Sequence, residues 1–308
     1  MNTKRVIVVG SANQDYLVRT VRAPQPGETV MATGLTKQPG GKGANQAVAA
    51  ARLGGDVHFV GAVGRDDDGA RILRSLDSDG VSVDDVRIVD GQPTGLALIS
   101  IDDTGENSIT VVSGANGTVT AERAAAAVVR LASDDALLSM QGELPRDVLE
   151  ASARAAAVAG ARVVLNLAPY LEIDADVVAL ADPVIVNETE AAEMTGLSIA
   201  SVDEALVAVD SLTKRALSAV ITLGSLGAVW ANRGEHGHVE ANRVEHVVDT
   251  TGAGDAFSGA LVSSLAAGSD LEGAVRLGAL AGSFAVRGIG AQSSYPRESD
   301  LGAGPAVG

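Results

Sequence analysis

The chain contains no cysteine. That absence removes disulfides, thiolate metal sites and cysteine nucleophiles from consideration. Lysine is scarce too, occurring only at Lys4, Lys37, Lys42 and Lys214. Acidic residues outnumber Lys and Arg by 39 to 23, for a net charge of −16. Such a balance argues against nucleic acid and anionic membrane as partners. The acidic residues are spread along the chain, which favours solubility. Aromatics are few, and Trp230 and the Phe residues are read as core. No long apolar run is present. The longest uncharged stretch, Ala216 to Asn232, is broken by Gly224-Ser225-Leu226-Gly227 and reads as two strands around a turn. The apolar run after Lys4-Arg5 ends at Gly10, too early for a signal-peptide core. A cytoplasmic, soluble protein is expected. His58, His236, His238 and His246 lack metal-ligand spacing across a helix and are read as surface or structural.

What is present is an alternation of strand and helix patterns. Val6 to Gly10 is apolar throughout, as a strand buried on both faces reads. Asp56–Val63, Ala136–Met140, Arg162–Leu167, Val184–Val186 and Ala219–Leu223 read as further strands, with Ala228–Ala231 and His238–Val248 after them. Helices are expected over 47–53, 66–76, 120–132, 146–159, 188–194, 202–215, 256–267 and 276–286. This implies an α/β fold: a doubly wound, mostly parallel sheet with helices on both faces. Two segments stand apart. Tyr16 to Thr36 alternates loosely around Pro24 and Pro26. Thr94–Ile101 and Asn107–Val112 alternate about Asp-Asp-Thr-Gly, a hairpin signal. Together they suggest a small β-sheet lid over residues 14–38 and 92–113, with the α/β body at 1–13, 39–91 and 114–308.

The stretch Asp249-Thr-Thr-Gly-Ala-Gly-Asp255 opens an Ala-rich helix. Gly252 and Gly254 allow a tight turn and close approach to a ligand. The free N–H groups of a helix start favour an anion. Asp255 inside such a site would repel a stored anion. It makes sense as a base that takes a proton while charge builds on a neighbouring phosphoryl group. Lys42 is followed by Gly43, which excludes a P-loop, and Gly10-Ser11-Ala12 lacks a dinucleotide fingerprint. Asn13 and Asp15, at the end of the first strand, are a turn or a hydroxyl-recognition pair. Gly41, Lys42, Gly43 and Asn45 are a helix entry or an approach for a polyhydroxy ligand. Glu143 is a helix cap or a ligand. Asn187 and Glu190 share a helix face, with Asn187 an N-cap or a ligand. Thr222 to Gly227 reads equally as a plain turn.

Taken together, Gly40-Gly-Lys-Gly-Ala-Asn45-Gln and Asp249-Thr-Thr-Gly-Ala-Gly-Asp255 resemble the two signatures of the PfkB sugar-kinase family. Asn187-Glu-Thr-Glu190 resembles its N-x-x-E motif, and Thr222-Leu-Gly-Ser-Leu-Gly227 its nucleotide loop. The similarity runs from about Val6 to Pro296. The stretches at Asn13–Asp15, Gly40–Ala51, Gln141–Glu143 and Leu165–Pro169 look most like members acting on D-ribose. The resemblance implies transfer of the γ-phosphoryl of ATP to the sugar's 5-hydroxyl, with Asp255 as base. Gly252, Ala253 and Gly254 would stabilise the transferring group through their N–H groups. Asn13, Asp15, Gly41, Lys42, Gly43, Asn45 and Glu143 would hold the sugar. The nucleotide would meet Asn187, Thr222, Leu223, Gly224, Ser225, Leu226, Gly227, Gly254 and Ala279, the last of these offering little stacking. Mg²⁺ would be met near Glu190. A monovalent cation, K⁺, is expected at Asp249, Thr251, Ala285, Gly288, Gly290 and Ser294, an all-oxygen set of low charge. The resemblance also implies a homodimer through the lid. A kinase for deoxyribose, a ketose or a nucleoside is the nearer alternative, and a non-catalytic sugar-binding regulator the farther one.

Overall fold

The apolar runs form the middle of a nine-stranded sheet. The computed structural model of the chain describes residues 4–102, 107–133 and 135–302. In chain order the elements are β1 (Arg5–Val9), β2 (Asn13–Arg19), β3 (Gly34–Gly40), α1 (Lys42–Arg52), β4 (Asp56–Gly64), α2 (Asp67–Ser78) and β5 (Ser82–Val89). Then come β6 (Gly95–Ile101), β7 (Asn107–Val112), α3 (Ala121–Leu131), β8 (Leu137–Gln141), α4 (Arg146–Val158) and β9 (Arg162–Asn166). The second half adds α5 (Ala175–Val178), β10 (Ala181–Asn187), α6 (Glu188–Thr195), α7 (Val202–Leu212), β11 (Ser218–Thr222), β12 (Ala228–Asn232) and β13 (Glu235–Val239). The last helices are α8 (Ala253–Ala266) and α9 (Leu271–Ala285).

The large sheet has the order β13-β12-β11-β10-β9-β8-β1-β4-β5. Pairings from β11 to β5 are parallel, and β12 and β13 add an antiparallel edge. Successive residues of each parallel strand serve opposite cores. Ile7 and Val9 pack with Leu138 and Met140 beneath α3 and α4, while Val6 and Val8 pack with Leu137 and Val164 beneath α1 and α8. This two-sided burial is why those strands are apolar throughout.

A second sheet, β3-β2-β6-β7, forms the lid. Here β2 pairs antiparallel with β3 and parallel with β6, and β6 pairs antiparallel with β7. Leu17, Ala97 and Ile99 are buried on one face, where Ile109 and Val111 of β7 are exposed, and Leu35 and Leu98 are exposed on the other. The expected hairpin turn falls on residues 103–106, outside the described residues.

Three expectations are corrected. The strand expected over 238–248 stops at Val239, with its edge pairing to β12 already complete. Val244 and Val247 instead line a cleft, and the Val248 N–H goes to the Val286 carbonyl. Both motif helices and the last helix begin earlier than their apolar pattern, at Lys42, Ala253 and Leu271. The Asp270 side chain caps the last of these through the Gly273 N–H. Finally, β5 was not anticipated: it is an edge strand with Asp84, Asp85 and Arg87, and only its last residue, Val89, is buried.

Candidate active site

The site lies at the carboxyl ends of the parallel strands, where α1 and α8 begin. Gly252 is the N-cap of α8 and takes a left-handed backbone, with φ 75°. A Cβ there would lie 2.5 Å from the Tyr295 hydroxyl and 2.7 Å from Ala291 Cβ. At Gly254 the same position opens into empty space, and Gly254 lines the adjoining cleft. The Ala253 N–H turns back to the Thr250 carbonyl at 3.2 Å. Asp255 follows in the first helical turn and is 7% exposed. Its carboxylate accepts from Asn45 Nδ2 at 2.9 Å and from Gln46 Nε2 at 3.0 Å. A carboxylate fixed by two amides beside unspent helix-start N–H groups can accept a proton next to a bound anion.

Glycines bring α1 against β1. A Cβ on Gly43 would meet Gly10 Cα and Ser11 N at 2.6 Å. Gly41, with φ 86°, turns the chain into α1. Gly40 leaves room for Asp15, whose carboxyl oxygen would lie 2.1 Å from a Cβ at that position. Lys42 is half-buried, and Asp255, then Glu143 and Glu190, hold its ammonium above the usual range against the effect of burial. Burial, then the charges of Glu143 and Asp255, push the Asp15 carboxyl up to about 7. Glu143 accepts from the Ser11 hydroxyl and from the Lys42 N–H at 3.0 Å, so it caps α1 as well as facing the pocket. Asn13 Oδ1 accepts from Asn116 Nδ2 at 2.7 Å.

Beside Gly254 lies a cleft of about 480 Å³. Thr222, Gly224, Ser225 and Gly227 form one wall, and Phe257, Ala279, Gly282 and Ser283 of α8 and α9 form another. The segment after β13, including Asn242, Arg243 and Val244, closes a third side. Leu223 does not line this cleft but is buried in the core, and Leu226 is exposed outside it. Asn187 and Glu190 form a reciprocal capping box at α6, each side chain accepting the other's N–H at 2.9 Å. Burial raises Glu190, offset in part by that N–H and by Lys42.

The loop before α8 is tied to the loop after α9. Asp249 accepts from the Thr251 N–H and hydroxyl at 2.9 and 2.6 Å, and from the Gly290 N–H at 2.8 Å. Burial would raise Asp249, but these bonds hold it below the usual range. The Ser294 hydroxyl donates to the Gly290 carbonyl at 2.7 Å, and the Gly288 N–H to the Ala285 carbonyl at 3.1 Å. The residues expected around a monovalent ion therefore form one oxygen-rich cluster. Among the described residues no group of three or more His, Cys, Asp or Glu could hold a metal ion.

Several site residues carried no local signal. Asn116 reaches Asn13 from 103 positions away. Gln141, Asn166 and Gln292 bond the two amides that hold Asp255, and of these only Gln292 lies outside the stretches singled out in the sequence. Asn242, Arg243 and Ser283 reach the cleft only through the fold. None of these has a spacing that marks it in isolation.

This architecture and site match a known class. The pfkB family carbohydrate kinases match residues 3–298, and the chain belongs to that family. Within it, the chain is 35% identical over 298 residues to the ribokinase of Haemophilus influenzae, covering 96% of this chain and 97% of that protein. It is 36% identical over 293 residues to the deoxyribokinase of Salmonella typhi, covering 94% and 95%. The structure of Arabidopsis thaliana ribokinase complexed with ribose and ATP superposes with a TM-score of 0.87 at 32% identity, covering 97% of this chain and 98% of that one.

Proposed function

We propose that the chain transfers the γ-phosphoryl group of ATP to the 5-hydroxyl of D-ribose, giving ribose 5-phosphate and ADP, with Asp255 as general base. The observation that carries this is the placement of Asp255: a carboxylate held by two amides, between the acidic pocket at Asp15 and Glu143 and the cleft beside Gly254. Asp255 takes the hydroxyl proton as the sugar oxygen bonds to phosphorus. The bond from phosphorus to the bridging oxygen of ADP breaks. N–H groups of Gly252, Ala253 and Gly254 stabilise the moving charge, Ala253 by sharing its bond to Thr250.

Asp15 and Asn13 read the vicinal hydroxyls, with Gly41, Lys42, Gly43, Asn45 and Glu143 around them. The nucleotide occupies the cleft against Thr222, Gly224, Ser225, Gly227 and Ala279. A lone Glu190, with Asn187, fits an ion that arrives on the phosphates rather than a resident one. Mg²⁺ there would neutralise phosphate charge, met through water. The cluster at Asp249, Thr251, Ala285, Gly288, Gly290 and Ser294 suits a large monovalent cation such as K⁺. Bound there, the ion would steady the Gly252–Gly254 turn. The exposed apolar face of the lid supports a homodimer.

Similarity to a deoxyribokinase favours one second reading, a kinase of 2-deoxyribose. A coupled ATP-consumption assay over ribose, deoxyribose, fructose and adenosine separates them. Ribose is expected to give the highest kcat/KM, and a higher value for deoxyribose would install the second reading.

A further inference from the structure

Each amide that grips Asp255 is itself turned by another amide. Asn45 Nδ2 donates to Asp255 while Asn45 Oδ1 accepts from Gln292 Nε2 at 3.0 Å. Gln46 Nε2 donates to Asp255 while Gln46 Oε1 accepts from Gln141 Nε2 at 2.8 Å. An amide has one face that donates and one that accepts, so its partner decides which face the carboxylate meets. With Asn45 turned over, two acceptors would face each other in a buried place, each short of a donor. A donor fixed at Asn45 Oδ1 prevents this, and Gln292 supplies it.

Gln292 is well anchored for that task. It is 6% exposed, and its main-chain carbonyl accepts from the Arg52 guanidinium. Arg52 in turn makes a two-pronged bond to Asp79, both distances 2.8 Å. The Ser75 hydroxyl reaches Gln292 Oε1 at 3.4 Å, which directs the Nε2 of Gln292 toward Asn45. The charged and titratable groups facing Asp255 are the Lys42 ammonium from α1, the Asp15 carboxyl from β2 and the Tyr295 phenol from the last loop. Lys42 draws Asp255 toward itself and Asp15 repels it. Hydrogen bonds from fixed amides oppose both displacements.

We propose that Gln292, which lies outside the sugar pocket and the nucleotide cleft, is a positioning residue for phosphoryl transfer, keeping the Asn45 NH₂ turned to Asp255. The inference rests on Asp255 being the base. Gln292→Glu keeps the shape but, ionised, has no N–H to give. Asn45 then turns its NH₂ to the new carboxylate and its oxygen to Asp255. The expected result is a kcat lower by about 10- to 10²-fold, as for a small misplacement of a catalytic group, with the KM for ATP near wild type.

A cycle of Gln292→Leu with Asn45→Leu tests the route. If Gln292 acts through Asn45, Gln292→Leu lowers kcat in the wild-type background and has no further effect in the Asn45→Leu background. A wild-type kcat in Gln292→Glu, or kcat losses that simply add in the cycle, would overturn the proposal. Should Gln292→Leu melt below the assay temperature, the isosteric Gln292→Glu enzyme decides by a lowered kcat beside an unchanged KM for ATP. Asp255→Asn in the same assay keeps the two levels apart. Retained turnover there sinks the base assignment, whereas a dead Asp255→Asn beside unaffected Gln292 variants sinks only the relay.

Discussion

Asp15 is where a single residue ties recognition to pH. Burial and then the charges of Glu143 and Asp255 lift it to about 7. Its ionised form accepts two sugar hydroxyls better than the acid, which spends one oxygen on its own proton, so sugar binding favours proton release near neutrality. The KM for ribose should therefore rise as pH falls through about 7, while the KM for ATP stays level. Asp15→Asn should remove that slope along with most of the sugar affinity, and a slope that survives the substitution would contradict the assignment. The same shift acts on stability with a definite sign. Between the ordinary carboxyl range and about 7 the folded chain holds a proton that the unfolded chain has lost, so stability falls as pH rises across that window. Melting of the sugar-free Asp15→Asn protein at pH 8 should thus lie above wild type. For Asp255, replacement by Asn should spare binding of sugar and ATP and lower kcat by ~10²–10⁴-fold. A variant keeping a tenth of wild-type turnover would not fit a general base. Asp255 was legible in the sequence because it follows a pair of glycines at a helix start, and Asp15 because it follows the first apolar strand, although it lies within β2 and not in a turn. Asn116 and Gln292 were not, and Gln141 was so only as part of a resembling stretch, because an amide's role depends on which distant amide turns it.

At the scale of elements, the site depends on how closely α1 and β1 approach. A methyl at Gly43 would meet main-chain atoms of Gly10 and Ser11, which cannot swing aside. Gly43→Ala should destabilise the fold by about 1–3 kcal/mol, as overpacking does. Its kcat/KM should also fall, because Lys42 and Asn45 ride on that helix turn. A thermal melt and sugar kinetics check both, and an unchanged Tm would deny the close contact. The parallel strands were readable because two cores demand apolar residues on both faces. The edge strand Ser82–Val89 was not, since an edge in contact with water keeps polar side chains. The valines of 244–248 mimic a strand but are spent on the cleft wall and on the Val286 carbonyl. Helix starts were misjudged wherever a motif glycine or a capping Asp, rather than the first apolar residue, begins the turn.

The whole molecule is a three-layered α/β/α body with a small sheet over its active face. On the face that also carries Leu17 and Ile99, that sheet leaves Ile109 58% exposed and Val111 53% exposed. Such a face on a small sheet is best covered by a second copy of itself. Sedimentation should show a dimer, and Ile109→Glu with Val111→Glu should give a monomer. A wild-type monomer at all concentrations would remove the dimer from the account. The acidic net charge and the absence of cysteine bound the class of protein, whereas the chemistry emerged only where the motifs met at the ends of β1, α1 and α8. The most direct test of the central claim is product identification by ³¹P and ¹³C NMR after incubation with D-ribose, ATP and Mg²⁺. The account predicts one ADP per ribose 5-phosphate, phosphorylated at the 5-oxygen, formed at least ~10²-fold more slowly with Asp255→Asn. Phosphate on another hydroxyl, or ATP consumed without a sugar phosphate appearing, would contradict it.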